Sequence, residues 1–162
     1  MKTLLLMRHG KSSWSQPDLP DHDRPLTKRG RSAAKQMGKW LQDHDLVPDH
    51  VLTSTACRAF ETAALTADAA KYRNELEPIS ELYHAEPDEL IAVLSRVPDQ
   101  FNRVLIVGHN PGLEEWLAEL IGRTETFPTA ALAHLELKIN SWADLTLDTQ
   151  AQLLALWRPR DL

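Results

Sequence analysis

The chain has 162 residues, 43% hydrophobic and 25% charged, which is the make-up of an ordinary globular protein with room for a sizeable core. Eighteen Lys and Arg against 23 Asp and Glu leave a net charge of −5, so no global basic field exists to draw in nucleic acid, and any anion site must be local. One cysteine, Cys57, excludes an internal disulfide.

The first predicted element is a buried strand over Thr3 to Met7, too short for a secretory core or a membrane span, and the protein is expected to be cytoplasmic. Lys11 to Leu26 reads as a long loop with three prolines and three aspartates, a length that marks a functional or mobile segment; it is expected to be a solvated lid. Thr27 can cap a helix to about Asp43, with Ala33, Ala34, Met37, Trp40 and Leu41 on its inner face. A short strand over His50 to Thr53 leads to a second helix, capped by Ser54 or Thr55 and reaching about Ala70, with Phe60, Ala63, Ala64 and Ala67 inward. Glu77 to Ile79 reads as a brief strand, and Pro87 opens a helix to Arg96. Arg103 to Val107 is the clearest strand. Asn110-Pro111-Gly112 turns it into a helix ending near Gly122, and His134 to Ile139 with Gln152 to Trp157 reads as a closing hairpin. Trp40, Trp116 and Trp157 fall on apolar faces and are expected in the core.

Strands alternating with helices imply a three-layer α/β/α architecture on a mixed, mainly parallel sheet. No repeat or linker divides the chain, which is expected to be a single domain over 1–162. In such a sheet three junctions share one edge: Arg8-His9-Gly10, then Thr53-Ser54 with Arg58 in the following helix turn, then Gly108-His109-Asn110. Two arginines and two histidines converge there with helix N-termini, a ready anion site. Arginine's planar fork suits phosphate oxygens. Arg58, near a helix start, carries a charge that opposes the helix dipole, which an anion partner explains better than a pairing with Glu61 or Glu114.

At these residues a family resemblance enters. Arg8-His9-Gly10-Lys11-Ser12-Ser13-Trp14 resembles the signature of the histidine phosphatase superfamily, which includes phosphoglycerate mutases and acid phosphatases. Thr53-Ser54-Thr55-Ala56-Cys57-Arg58-Ala59-Phe60-Glu61-Thr62 resembles its second motif and Gly108-His109-Asn110 its third. Small size, with Asp23-Arg24-Pro25-Leu26-Thr27 and Arg29-Gly30, is most similar to the phosphohistidine phosphatase branch. The resemblance implies a phosphoglycerate mutase-like fold and these roles: His9 as nucleophile, Arg8 and Arg58 on the non-bridging oxygens, His109 as a hydrogen-bond donor to the phosphoryl group. It implies Glu81 as the candidate leaving-group acid, with Glu86 or Asp88 as competitors. Ser15 falls where mutases carry an asparagine and is grouped with Arg8, Arg58 and His109 as substrate-binding. No metal or cofactor is expected, since the arginines supply the positive charge.

The expected substrate is a phosphohistidine on a protein, or a small phosphorylated metabolite; a sugar-phosphate phosphatase or mutase is the alternative, and a non-catalytic phosphate-binding module a third. Asp18, Asp21, His22 and Asp23 offer metal-ligand chemistry, but in a proline-rich loop they read as solvent-facing. Cys57 reads as a small packed residue, because a cysteine phosphatase needs a loop of backbone donors between Cys and Arg. Trp14 is a candidate wall of the pocket. His22, His44, His50, His84 and His134 read as surface or strand residues.

Overall fold

Leu4, Leu5, Leu6 and Met7 are all fully buried in strand β1 (Lys2–Arg8), which explains the unbroken apolar run: both faces of the strand are covered. In this computed structural model residues 1–159 are described, so residues 160–162 of the expected domain lie outside it. The other strands are β2 (His50–Ser54), β3 (Leu76–Ile79), β4 (Arg103–Gly108), β5 (Leu132–Leu137) and β6 (Ala151–Trp157). The helices are α1 (Lys28–Asp43), α2 (Cys57–Ala69), α3 (Pro87–Leu94) and α4 (Gly112–Ile121).

The sheet runs β3-β2-β4-β1-β5-β6. β3, β2, β4 and β1 are parallel to their neighbours; β5 is antiparallel to β1, and β6 to β5. Alternate residues of β1 feed two cores. Leu4 and Leu6 join Leu90, Leu94, Leu113 and Trp116 of α3 and α4; Leu5 and Met7 join Met37, Leu41, Ala59 and Ala63 of α1 and α2. The result is a mixed, mainly parallel sheet between two helical layers, as expected.

The topology makes a crevice. Chain connections leave β1 toward β2 and β3 over the α1/α2 face, and return through α3 to β4 on the other face. β1 and β4 are therefore adjacent strands whose following segments depart in opposite directions, and ligands bind at the carboxyl ends of such a pair. The register places Arg8 beside Gly108, and Thr53 beside Val107, so all three junctions end level.

Several elements differ from expectation. Neither Ser54 nor Thr55 is the N-cap of α2; the cap is Ala56, which has no side-chain oxygen to offer, while Ser54 turns to a histidine and Thr55 hydrogen-bonds His22. Phe60 is 41% exposed, because α2 turns Arg58, Ala59, Thr62 and Ala63 inward and leaves Phe60 on its outer side. β5 starts two residues earlier than expected because Leu132 and Ala133 are both buried and break the alternation. Trp116 is core as expected, but Trp40 and Trp157 are only half-buried, and Trp142, from the 3-10 turn Trp142–Asp144, is fully buried instead. No helix among the described residues is long and apolar enough to cross a membrane.

Candidate active site

The crevice is a cavity of about 350 Å³ lined by Arg8, His9, Lys11, Ser12, Trp14, Arg24, Arg58, His84, His109, Asn110 and Thr129. Three of the four junction side chains are at least nine-tenths buried: His9 at 7%, Arg58 at 5% and His109 at 4% exposure. β1 delivers Arg8 and His9, β4 delivers His109, and the second position of α2 delivers Arg58. The His9 and His109 rings lie 5.1 Å apart, the spacing of side chains leaving neighbouring strands.

His9 Nδ1 is 2.7 Å from the Gly10 carbonyl oxygen, which can only accept, so Nδ1 carries the proton and Nε2 keeps the lone pair. Burial pushes the His9 imidazole down to about 4; the Gly10 bond opposes this, and the Arg58, Arg8 and Arg24 guanidiniums reinforce it. Burial, with His9, Arg58 and His84 adding and Asp21 opposing, brings His109 to about 3. Both rings are therefore neutral at pH 7. Gly10 N–H donates to Thr62 Oγ1, whose hydroxyl donates to the Arg58 carbonyl, tying the first motif to α2.

Polar atoms without partners gather here. Of the four buried side-chain atoms that make no hydrogen bond among the described residues, three are here, Arg8 Nε, His109 Nδ1 and Asn110 Oδ1; the fourth is Arg103 Nε. Arg8 spends one donor on the Phe127 carbonyl, and Asn110 Nδ2 donates to the same oxygen. Four cationic side chains (Arg8, Lys11, Arg24 and Arg58) line the cavity, and the arrangement can bind a dianion.

Asp21, read as solvent-facing, is one of the residues that sequence reasoning missed. It lies in the 3-10 turn Asp21–Asp23, and its carboxylate takes hydrogen bonds from Arg58 (2.9 Å), Arg24 (2.8 Å) and the Tyr83 hydroxyl. Its backbone carbonyl accepts a second bond from Arg58, which leaves three of that guanidinium's five donors. These bonds, Tyr83 first, hold the Asp21 carboxyl well below the usual carboxylate range. Arg24 also donates to Ser12 and Ser13, and its Cζ sits over the Trp14 ring, 3.3 Å from the centroid. The loop Lys11 to Leu26 is thus pinned at both ends and across its middle, and Trp14 lines the cavity though it is 74% exposed. The one available signal was the Asp23-Arg24-Pro25 stretch; the carboxylate that matters lies two residues earlier.

Two expected site residues are not brought to the cavity. Glu81 sits on the 3-10 turn Ser80–Leu82, bonds Ser80 and Arg96, and lines a separate, larger hollow of about 440 Å³ beside β3 that holds no histidine. Its carboxylate is exposed and lowered by its own backbone N–H, then Arg96 and Ser80. Ser15 is exposed and bonds only Ser13; Ser12 takes the lining position instead. Glu86 and Asp88 are absent from the cavity too: Glu86 closes a capping box with Glu89 at the start of α3, and Asp88 is exposed beside them. Cys57 is half-buried, its thiol pushed up by burial and by Glu61 and Asp23, and it does not line the cavity.

The family model of the histidine phosphatase superfamily (branch 1) matches residues 4–86. An uncharacterised protein of Mycobacterium tuberculosis is 38% identical over 153 residues, spanning 86% of this chain and 91% of that protein. Among solved structures, a protein assigned as the phosphohistidine phosphatase SixA of Nakamurella multipartitia is 31% identical with a TM-score of 0.83, covering 98% of this chain and 96% of that one. Its counterpart from Agrobacterium tumefaciens is 27% identical, again at 0.83, covering 98% of each.

Proposed function

The chain belongs to the histidine phosphatase superfamily, branch 1, and from that premise we propose that it is a protein phosphohistidine phosphatase acting through a covalent phosphohistidine at His9. The observation that carries the reading is the His9 ring, neutral, clamped at Nδ1 by Gly10, and flanked by two guanidiniums. Nε2 attacks phosphorus in line, and the phosphoryl group moves to the ring while the leaving group departs. Arg8 and Arg58 grip the non-bridging oxygens and offset their charge. Ser54 Oγ accepts from Ala56 N–H and lies 2.8 Å from His109 Nε2; in the tautomer where the Ser54 hydroxyl donates to Nε2, the unpartnered Nδ1 carries the proton and is the donor to the phosphoryl group. Water attacks the phosphoenzyme, inorganic phosphate leaves, and His9 is regenerated. No step in this scheme calls for a metal.

Support for a phosphorylated protein comes from the two SixA-like structures and from the position of the cavity at the sheet edge, bordered by the exposed Trp14. A small phosphate ester is the second reading, favoured by a volume near the lower end of small-molecule sites. The two separate on turnover: a phosphorylated histidine protein is expected to be dephosphorylated faster, by kcat/KM, than any of a panel of sugar and alkyl phosphates. Brisk ester hydrolysis beside background phosphohistidine turnover would reverse the order.

A further inference from the structure

With Glu81, Glu86 and Asp88 outside the cavity, the reading above has no source for the proton that a poor leaving group requires. Among the described residues, no carboxylate lines the cavity. Asp21 reaches its side, but three hydrogen bonds keep it ionised. The remaining groups that face the cavity are Arg8, His9 and Lys11 after β1, Arg24 from the loop, Arg58 from α2, His109 after β4, and His84. His9 is committed to attack, and His109 is buried and bonded to Ser54.

His84 follows the 3-10 turn Ser80–Leu82 and precedes α3. Its backbone has a positive φ of 57°, a conformation that histidine adopts more readily than most side chains. Its ring lies 5.6 Å from the His109 ring and 3.9 Å from Tyr83. Its Nε2 is 3.6 Å from Asp21 Oδ2, and its side chain is 59% exposed. The ring makes no hydrogen bond among the described residues.

We propose that His84, oriented by the Asp21 carboxylate, gives the leaving group its proton and takes one back from the attacking water. The proposal rests on His9 as nucleophile. In the first half-reaction the P–Nε2 bond to His9 forms and the substrate's P–O or P–N bond breaks; the freed electron pair takes the His84 proton. In the second, the water oxygen bonds phosphorus, the P–Nε2 pair returns to His9, and the water proton goes to the now neutral His84. Asp21 thereby serves two groups at once, Arg58 on the phosphoryl oxygens and His84 on the leaving atom.

The test is His84→Asn, since Asn tolerates the left-handed backbone and carries no titratable proton. Alkyl phosphate hydrolysis should fall by about 100-fold or more in kcat, the low end of general-acid effects, while phosphoenzyme formation from 4-nitrophenyl phosphate, whose leaving group needs no acid, stays within about threefold. With that aryl ester the variant should also show a nitrophenolate burst followed by slow phosphoenzyme hydrolysis. Equal losses on both esters, or an aryl time course without the burst, would overturn the role of His84. Wild-type protein that forms no phosphoenzyme from any substrate would instead overturn the nucleophile on which it depends.

Discussion

A histidine attacks phosphorus only while one ring nitrogen is unprotonated; burial and the neighbouring guanidiniums keep His9 in that state, and the Gly10 carbonyl fixes Nε2 as the bare nitrogen. This gives a direct prediction: in a titration followed by histidine ring NMR, His9 should protonate near pH 4 and His109 near pH 3, not near the usual 6.5. A midpoint near 6.5 for His9 would contradict the burial account. Arg58→Ala should lower kcat/KM by about 100- to 1000-fold, the usual cost of losing a charge-stabilising donor, and should weaken inorganic phosphate binding; unchanged phosphate affinity by calorimetry would remove Arg58 from the clamp. Arg8, His9, Arg58 and His109 were legible in the sequence because each stands at or just after the end of a recognisable strand. Asp21, Tyr83 and His84 were not, because what matters about them is contact: Asp21 meets Arg58 across 37 positions and Tyr83 across 62, through a loop without periodicity. Glu81 was misplaced for a related reason. The 3-10 turn and the residues after it send neighbouring side chains to different sides, so His84 lines the crevice and Tyr83 meets Asp21 and the His109 ring while Glu81 pairs with Arg96.

At the scale of elements, the first turn of α1 does more than begin a helix. Thr27 accepts from Gly30 N–H as the expected cap, and Gly30 lies flat against Gly10 and Lys11. A Cβ on Gly10 would come within 2.9 Å of the Gly30 carbonyl oxygen, and one on Gly30 would collide with the Lys11 carbonyl. Gly30→Ala should therefore push the turn that carries His9 and lower both stability and kcat, whereas Thr27→Ala should cost about 1 kcal/mol in denaturant unfolding with kcat little changed. If Gly30→Ala unfolds and turns over like wild type, that close approach does not position the site. Helices α1 to α4 were readable from apolar spacing and caps, with ends shifted by a residue or two. The capping of α2 was not readable, since the hydroxyl that looked like a cap, Ser54, is drawn away to His109.

Over the whole molecule, one sheet carries two cores and one crevice, and β1 contributes to all three. Leu5→Ala and Leu6→Ala, on opposite faces, should each cost about 2–5 kcal/mol and each leave a single cooperative transition if the two helical layers unfold together; separate transitions would mean two independent units. Stability should also depend on pH in a definite sense. The folded-state values of His9 and His109 lie below the unfolded 6.5, so the unfolded chain protonates first; stability is full above about pH 6.5 and falls as pH drops toward 4, by on the order of 3 kcal/mol for His9. Strand order was beyond reach from the sequence: that β4 inserts between β1 and β2, creating the crevice, depends on long-range pairing.

The central claim is that His9 becomes covalently phosphorylated. Rapid acid-free quenching of the wild-type protein with a radiolabelled phosphoryl donor, followed by peptide mapping, should find alkali-stable, acid-labile label on the peptide containing His9, and none in His9→Ala. Label on another residue, or His9→Ala turning over at the wild-type rate, would contradict it.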